Sequence, residues 1–330
     1  MSIKELSKEE YLKQEKVLDV HPLQSCAWGE LKKPKWQPVR LGVFDEDEVV
    51  SILTILTRKI PIYGKKFGYI PRGIAVKDEK YLENVIGQIT KHELHLSHLM
   101  IDPNISYNSK LKTQSPKLYE RIGFKATGLQ IQPNRTVVLD LSKREEELLS
   151  EMRSKHRQYI RKAEKNGVKI RIGTSFDISS FVRIIEDIGK IKGYVLHEGS
   201  YYKKIWDLFG ENVDLFIAEA GSEVVGSYMV LYNENSAFEM YGGCSQKGNE
   251  LLANYLMKWF TIRHAKKLGK KYYDEWGAEF KYPGLVQFKE GFGGEVIDFP
   301  PQYTYVFDRI GYVVYRVMNK VNEWRQRSGG

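Results

Sequence analysis

The 330-residue sequence is long enough for two domains with separate cores, and its 42% hydrophobic and 28% charged residues are ordinary for a globular protein. A formal net charge of +9, from 51 Lys+Arg against 42 Asp+Glu, favours anionic partners such as phosphates, nucleic acid or an acidic membrane surface, without choosing among them. Cys26 and Cys244 are the only cysteines, so no disulfide framework is implied, and no apolar run reaches the ~18 residues of a membrane span.

The N-terminal stretch MSIKELSKEEYLKQEK is charged and helical in character and carries no apolar core of a signal peptide, so the expected compartment is the cytoplasm. WQPVRLGVFDEDEVVSILTILTR then reads as two strands around an acidic turn at residues 45–48. A third strand, GYIPRGIAV (68–76), leads into a helix, EKYLENVIGQITKHEL (79–94), a strand, HLMIDP (98–103), and the phrase LYERIGFKATG (118–128). KHELHLSH (91–98) offers three histidines, but an H-E-x-x-H motif needs histidine where Leu96 stands. His92, His95 and His98 straddle a helix end and a strand, and no metal site is assigned to them.

The stretch 145–173 places Leu148, Leu149, Met152, His156, Tyr159, Ile160 and Ala163 on an apolar stripe at helical period, ended by Asn166-Gly167. The opposite face carries Arg153, Lys155, Arg157, Arg161, Lys162 and Lys165. It reads equally as a solvated face or as a contact for a polyanion.

The order of elements then repeats. VDLFIAEAGSEVVGSYMVLYN is a second hairpin, turning at Gly221 and Ser222. It is followed by a strand, SAFEMYGGCS (236–245), a helix, NELLANYLMKWFTIRHAKKLG (249–269), a strand, KKYYDEWG (270–277), and the closing phrase QFKEGFGGEVI (287–297). Hairpin, strand, helix, strand, then helix-turn-strand is the acetyltransferase-like plan, read twice. The predicted fold is α/β (α+β), two tandem acetyltransferase-like domains with mixed central sheets. The expected boundaries are 1–145 and 146–310, with the C-terminal helix 311–330 returning to the first domain. That helix alternates Val313, Val317, Val321 and Trp324 with Arg316, Lys320 and Arg325. Packing of the helix back on the first domain is the favoured expectation, and contact with a membrane surface is the alternative.

Acyltransferases of this plan cradle the pyrophosphate of coenzyme A on an R/Q-x-x-G-x-G/A loop opening a helix. Counting from Gln246, the two glycine positions hold Asn249 and Leu251, and a Cβ there obstructs the backbone approach to phosphate, so coenzyme A is not an expected donor. The stretch GLVQFKEGFGG (284–294) sets Lys289 among apolar residues and glycines. Alone, such a lysine reads as surface solubility.

Taken together, QSCAWGELKK (24–33), YIPRGI (69–74), MIDPN (100–104), the basic helix 148–168, MYGGCS (240–245) and GLVQFKEGFGG resemble the Fem (FemABX) peptidyltransferases over nearly the whole chain, in the compact form without a coiled-coil arm. The resemblance implies transfer of an amino acid from aminoacyl-tRNA to the stem-peptide amine of a UDP-linked or lipid-linked peptidoglycan precursor. A monomer is expected, working in the cytoplasm with the inner face of the plasma membrane as the alternative setting, and no cofactor is expected beyond the tRNA ester.

By the same resemblance Lys289 stabilises the negative oxygen of the tetrahedral intermediate, and Phe288 is a wall or stacking surface for the terminal adenosine, with the glycines from Gly291 to Gly294 leaving room for its approach. Lys32 matches a lysine on the precursor's diphosphate, Asp102 a polar acceptor near the stem peptide, and Tyr201 and Tyr241 tyrosines lining the same groove. Surface lysine, turn aspartate and core-edge tyrosine are the rival readings of these residues. His197 stands where compact members carry a phosphate-holding arginine, a weaker anion anchor. Arg72 binds anion or flanks a turn, and the turn is favoured. Arg153, Lys155, Arg157, Arg161 and Lys162 are the candidates for tRNA contact. The rival functions are a coenzyme A-dependent N-acyltransferase and a non-catalytic RNA-binding module.

Overall fold

The computed structural model describes every residue except 93, 105–115, 129–130, 193–195, 279–281 and 329–330, and leaves out the side chains of 116, 191–192 and 322–328. The chain divides into two compact units, residues 1–132 with 299–330, and residues 133–298. The first part of the chain runs β1 (Ser2–Glu5), α1 (Lys8–Val17), α2 (Cys26–Lys32), β2 (Gln37–Asp45), β3 (Glu48–Lys59), β4 (Lys66–Gly73), β5 (Ala75–Val76), α3 (Leu82–Lys91), β6 (Leu96–Pro103), α4 (Pro116–Arg121) and β7 (Lys125–Ala126). It continues through β8 (Arg135–Asp140), α5 (Glu145–Glu151), α6 (Ser154–Lys165), β9 (Val168–Ile172), α7 (Ile178–Lys192), α8 (Gly199–Phe209), β10 (Val213–Ala220), β11 (Glu223–Tyr232) and β12 (Ser236–Cys244). The last elements are α9 (Gln246–Glu250), α10 (Ala253–Lys267), β13 (Tyr272–Asp274), α11 (Pro283–Glu290), β14 (Glu295–Asp298), β15 (Tyr303–Val306) and α12 (Arg309–Ser328).

Local chemistry starts and stops these elements. Ser7 and Glu10 form a capping box that satisfies orphan N–H groups at the head of α1. The hairpins fall where alternating apolar residues flank polar turns, and β3 and β11 are buried on both faces, as befits their interior position in each sheet.

Each sheet repeats one plan. The first has the order β1-β2-β3-β4-β6-β15-β7 and the second, read backwards, β9-β10-β11-β12-β13-β8-β14. The parallel pairs, β4 with β6 and β12 with β13, are each joined through a crossover helix, α3 or α10. One strand in each sheet comes from elsewhere in the sequence. β8 follows β7 in the chain but pairs between β13 and β14, whereas β15 follows β14 but pairs between β6 and β7. This strand placement puts the unit boundaries at 132/133 and 298/299, against the expected 145/146 and 310/311.

The basic helix expected over 148–168 is two helices, α5 and α6, broken at Met152 and Arg153. Arg157 Nη1 donates to the carbonyls of Leu149, Ser150 and Met152, closing the end of α5. The helix expected over 249–269 likewise breaks at Leu252, whose φ of 64° is left-handed. In α12 the inward face belongs to tyrosines. Tyr315 packs on Phe67 and His98 of the first unit, and Tyr312 on His98, so the helix lies against that unit through its tyrosines while Val313, Val317 and Val321 are exposed. No helix among the described residues is long and apolar enough to cross a membrane.

Candidate active site

In the second unit, a cleft of about 630 Å³ opens beside the C-terminal end of β12 and the first turn of α11. Tyr241, Glu239, Trp276, Tyr282, Phe288 and Lys289 are among its walls, a mixture of aromatic faces and a few polar groups usual for a binding site. Gly242 has a φ of 143°, and a Cβ there would overlap the carbonyl of Ser227, so glycine is required for this part of the cleft wall.

Lys289 is only 6% exposed, and all three of its N–H bonds are taken. Nζ donates to the carbonyls of Glu275 at 2.6 Å, Gly277 at 2.7 Å, and Trp276 between them. An extended strand points successive carbonyls in opposite directions. Here Trp276 (φ 49°) and Gly277 (φ 63°) turn left-handed after β13, so three consecutive carbonyls converge on one ammonium. Burial, and next the neighbouring Lys258, lower the Lys289 pKa to about 8.

Beneath it lies a buried ion cluster. Lys258 Nζ, on α10, sits 2.7 Å from Glu239 Oε1 and 2.7 Å from Glu275 Oε2, and Tyr273 donates to Glu239 Oε2 at 2.6 Å. Two nearby carboxylates hold Lys258 protonated, while burial pushes the Glu275 carboxyl up to about 7. Sequence reading missed Lys258, Glu239 and Glu275. Their signal was present, as a lysine inside an apolar helix and acids inside aromatic strands (LMKWF, AFEMY, YYDEWG).

Phe288 separates the cleft from an aromatic group containing Tyr255, His156 and Phe292, at ring distances of 5.1, 6.0 and 5.2 Å. The glycines that follow do not open space for a ligand, contrary to expectation. A Cβ at Gly291 would overlap the His156 imidazole, one at Gly293 would lie 2.8 Å from Glu151 Cβ, and one at Gly294 would lie 2.8 Å from the Val138 carbonyl oxygen. They let α11 and its turn approach α5, α6 and β8. Only Gly284, in this stretch, faces open space. Gly291→Ala is therefore expected to cost about 2–3 kcal/mol in urea unfolding, because the buried ring cannot move aside, while Gly284→Ala stays within about 0.5 kcal/mol.

Tyr241 continues into an aromatic cluster. Its hydroxyl lies 3.5 Å from that of Tyr201, and Tyr201 stacks on the exposed His197 ring at 3.9 Å. The structure thus brings Lys289, Phe288, Tyr241, Tyr201 and His197 into one region of the second unit. Among the basic residues of α6, Arg157 is committed to its cap, and Arg153, at the head of the helix, binds the Gln287 carbonyl and Glu290. Lys155, Arg161 and Lys162 are exposed.

Lys32, Arg72 and Asp102 belong to the first unit. Lys32 is half-buried, its ammonium 4.2 Å from the centre of the Trp28 ring, and burial lowers its pKa to about 8. It is therefore no ordinary surface lysine. Asp102 is buried and accepts from Tyr69 and, at 3.3 Å, from Gln302, and burial raises its pKa. Arg72, the penultimate residue of β4, has a left-handed φ of 47° and lies buried, 3.5 Å from the centre of the Phe299 ring. It flanks the break between β4 and β5, the favoured reading, from a buried position.

The FemAB family model matches residues 6–223 and 216–320. A lipid II:glycine glycyltransferase of Staphylococcus epidermidis is 20% identical, over 91% of this chain and 90% of its own. Among solved structures, that of FemX superposes with a TM-score of 0.82 at 18% identity, covering 95% of this chain and 99% of that one. A tandem GNAT protein from the clavulanic acid biosynthesis pathway superposes with a TM-score of 0.56 at 10% identity, covering 92% and 98%. These likenesses agree with a doubled acetyltransferase-like fold, and on the family match the chain belongs to the FemAB family.

Proposed function

We propose that the chain is an aminoacyltransferase of peptidoglycan bridge synthesis, moving an amino acid from aminoacyl-tRNA to the stem-peptide amine of a lipid-linked precursor. It acts as a monomer at the inner face of the plasma membrane. The observation that carries the reaction is the buried Lys289 ammonium in the wall of the cleft. The family match and the name of the staphylococcal relative support the substrate class.

The amine nitrogen attacks the ester carbonyl, an amide bond forms, and the tRNA 3′ oxygen leaves with a proton. An ester is already activated, so alignment supplies much of the acceleration, on the order of 7–11 kcal/mol. The carbonyl oxygen becomes negative in the intermediate. Lys289 gives its hydrogen bonds to the 275–277 carbonyls, so its charge acts through the water-poor cleft wall as a fixed electrostatic partner. Phe288 and Tyr282 offer faces for the terminal adenosine, and the exposed Lys155, Arg161 and Lys162 meet tRNA phosphates. Lys32 and Asp102 serve the precursor. Coenzyme A is not the donor, since Asn249 and Leu251 stand where its phosphate loop needs glycine.

The test offers mixed radiolabelled aminoacyl-tRNAs with a lipid-linked or a nucleotide-linked precursor, and mass spectrometry identifies the product. A new amide on the stem peptide is expected, and its absence with both acceptors would overturn the reading. Lys289 is cationic below about pH 8 and neutral above it. Log kcat/KM is therefore expected to fall with unit slope as pH rises past that value, measured against a control for tRNA ester hydrolysis.

A further inference from the structure

Two features of the first unit have no part in the chemistry above. Ile62, in the turn between β3 and β4, is 99% exposed and adopts a left-handed φ of 72°. A β-branched residue in that region is a genuine outlier, and an exposed isoleucine gains nothing from packing there. The same turn is rimmed by Arg58, Lys59, Lys65 and Lys66, all exposed.

The second feature is the outward face of α12. Ile310, Val313, Val317 and Val321 are 69%, 59%, 56% and 42% exposed. At about 100° per residue they fall within an arc of about 80°. Arg309, Arg316 and Lys320 follow one another along one flank of that arc, and Glu323 is the only acid in the helix. The two features are joined. Tyr63 donates to Asp308 at 2.7 Å, Lys65 pairs with the same carboxylate at 2.9 Å, and a Cβ on Gly311 would lie 2.6 Å from the Tyr63 ring.

We infer that the β3–β4 turn and the outer face of α12 form one surface that docks on an anionic lipid bilayer, the aliphatic side chains entering the headgroup boundary and the lysines and arginines meeting lipid phosphates. An aliphatic stripe edged by cations is the pattern of an interfacial helix. A second copy of the chain is the poorer occupant, since a two-fold contact would set these cations against themselves. A polyanion such as RNA leaves the aliphatic residues without a role. The inference extends the transferase reading and rests on it for its purpose, because a lipid-linked acceptor lies at such a surface.

The full chain is sedimented with vesicles of phosphatidylglycerol and phosphatidylcholine, or of phosphatidylcholine alone, without either substrate. Binding to the anionic vesicles is expected, weakened by salt, and reduced roughly tenfold or more by Ile62→Ser or by Val313→Ser with Val317→Ser. These exposed substitutions should leave thermal unfolding, and transfer to a detergent-solubilised lipid-linked acceptor, unchanged. The inference is overturned by absent binding, by equal binding to neutral vesicles, or by a concentration-dependent dimer that the same substitutions abolish. Failure of transfer with vesicle binding intact would count against the transferase reading and not against the docking surface.

Discussion

Replacing Lys289 with Met is expected to reduce transfer by about 10²–10³ and also to lower the stability of the protein. The second effect follows from where the ammonium sits. Its removal leaves the carbonyls of Glu275, Trp276 and Gly277 converging on an apolar side chain, at a site where Lys289 is 6% exposed. Unpaired buried acceptors cost about 1–3 kcal/mol apiece, and with relaxation of the turn the sum expected is about 2–4 kcal/mol. A lysine that merely faced the cleft would cost activity alone. Urea unfolding and single-turnover transfer, both run where the variant stays folded, separate the roles. Lost stability with normal turnover would assign Lys289 to the turn and remove it from the chemistry.

The doubled order of elements was legible because each strand and helix declares itself locally, through apolar periodicity and polar turns. The exchange of β8 and β15 was not. Pairing partners of a six-residue strand such as RTVVLD are non-local, and nothing within it says which sheet it completes. Phe288 and Lys289 were visible through their motif, but not the direction of the ammonium. That depends on Trp276 in a left-handed conformation, which no residue preference announces. The glycines of the same motif were misread because glycine admits close approach of any partner, and here the partners are His156, Glu151 and β8. In α12 the spacing of the valines correctly marked one face. Tyr312 and Tyr315 won the inward position by stacking on His98 and Phe67, a competition that sequence spacing alone does not resolve.

Lys258→Met should be the most destabilising single change in the second unit, at about 3–5 kcal/mol, because it strands Glu239 and Glu275 against each other without their shared cation. The pH dependence gives the sign. The Glu275 carboxyl is already raised to about 7, so the folded state binds its proton more tightly than the unfolded chain. Its contribution is fully present below the unfolded value and is lost as pH rises through about 7. Without Lys258 this loss deepens, and the variant should be weakest at alkaline pH and recover as the solution is acidified. Adding Glu275→Gln removes one stranded charge and should restore at least about 1 kcal/mol, a non-additivity that two unrelated sites would not show. Purely additive effects, or a penalty independent of pH, would argue that Lys258 acts by packing alone. Lys258 is also, after burial, the largest influence lowering Lys289. In the folded fraction of Lys258→Met the alkaline limb of transfer should therefore move to higher pH, connecting the buried cluster to the cleft by a readout that stability alone does not shift.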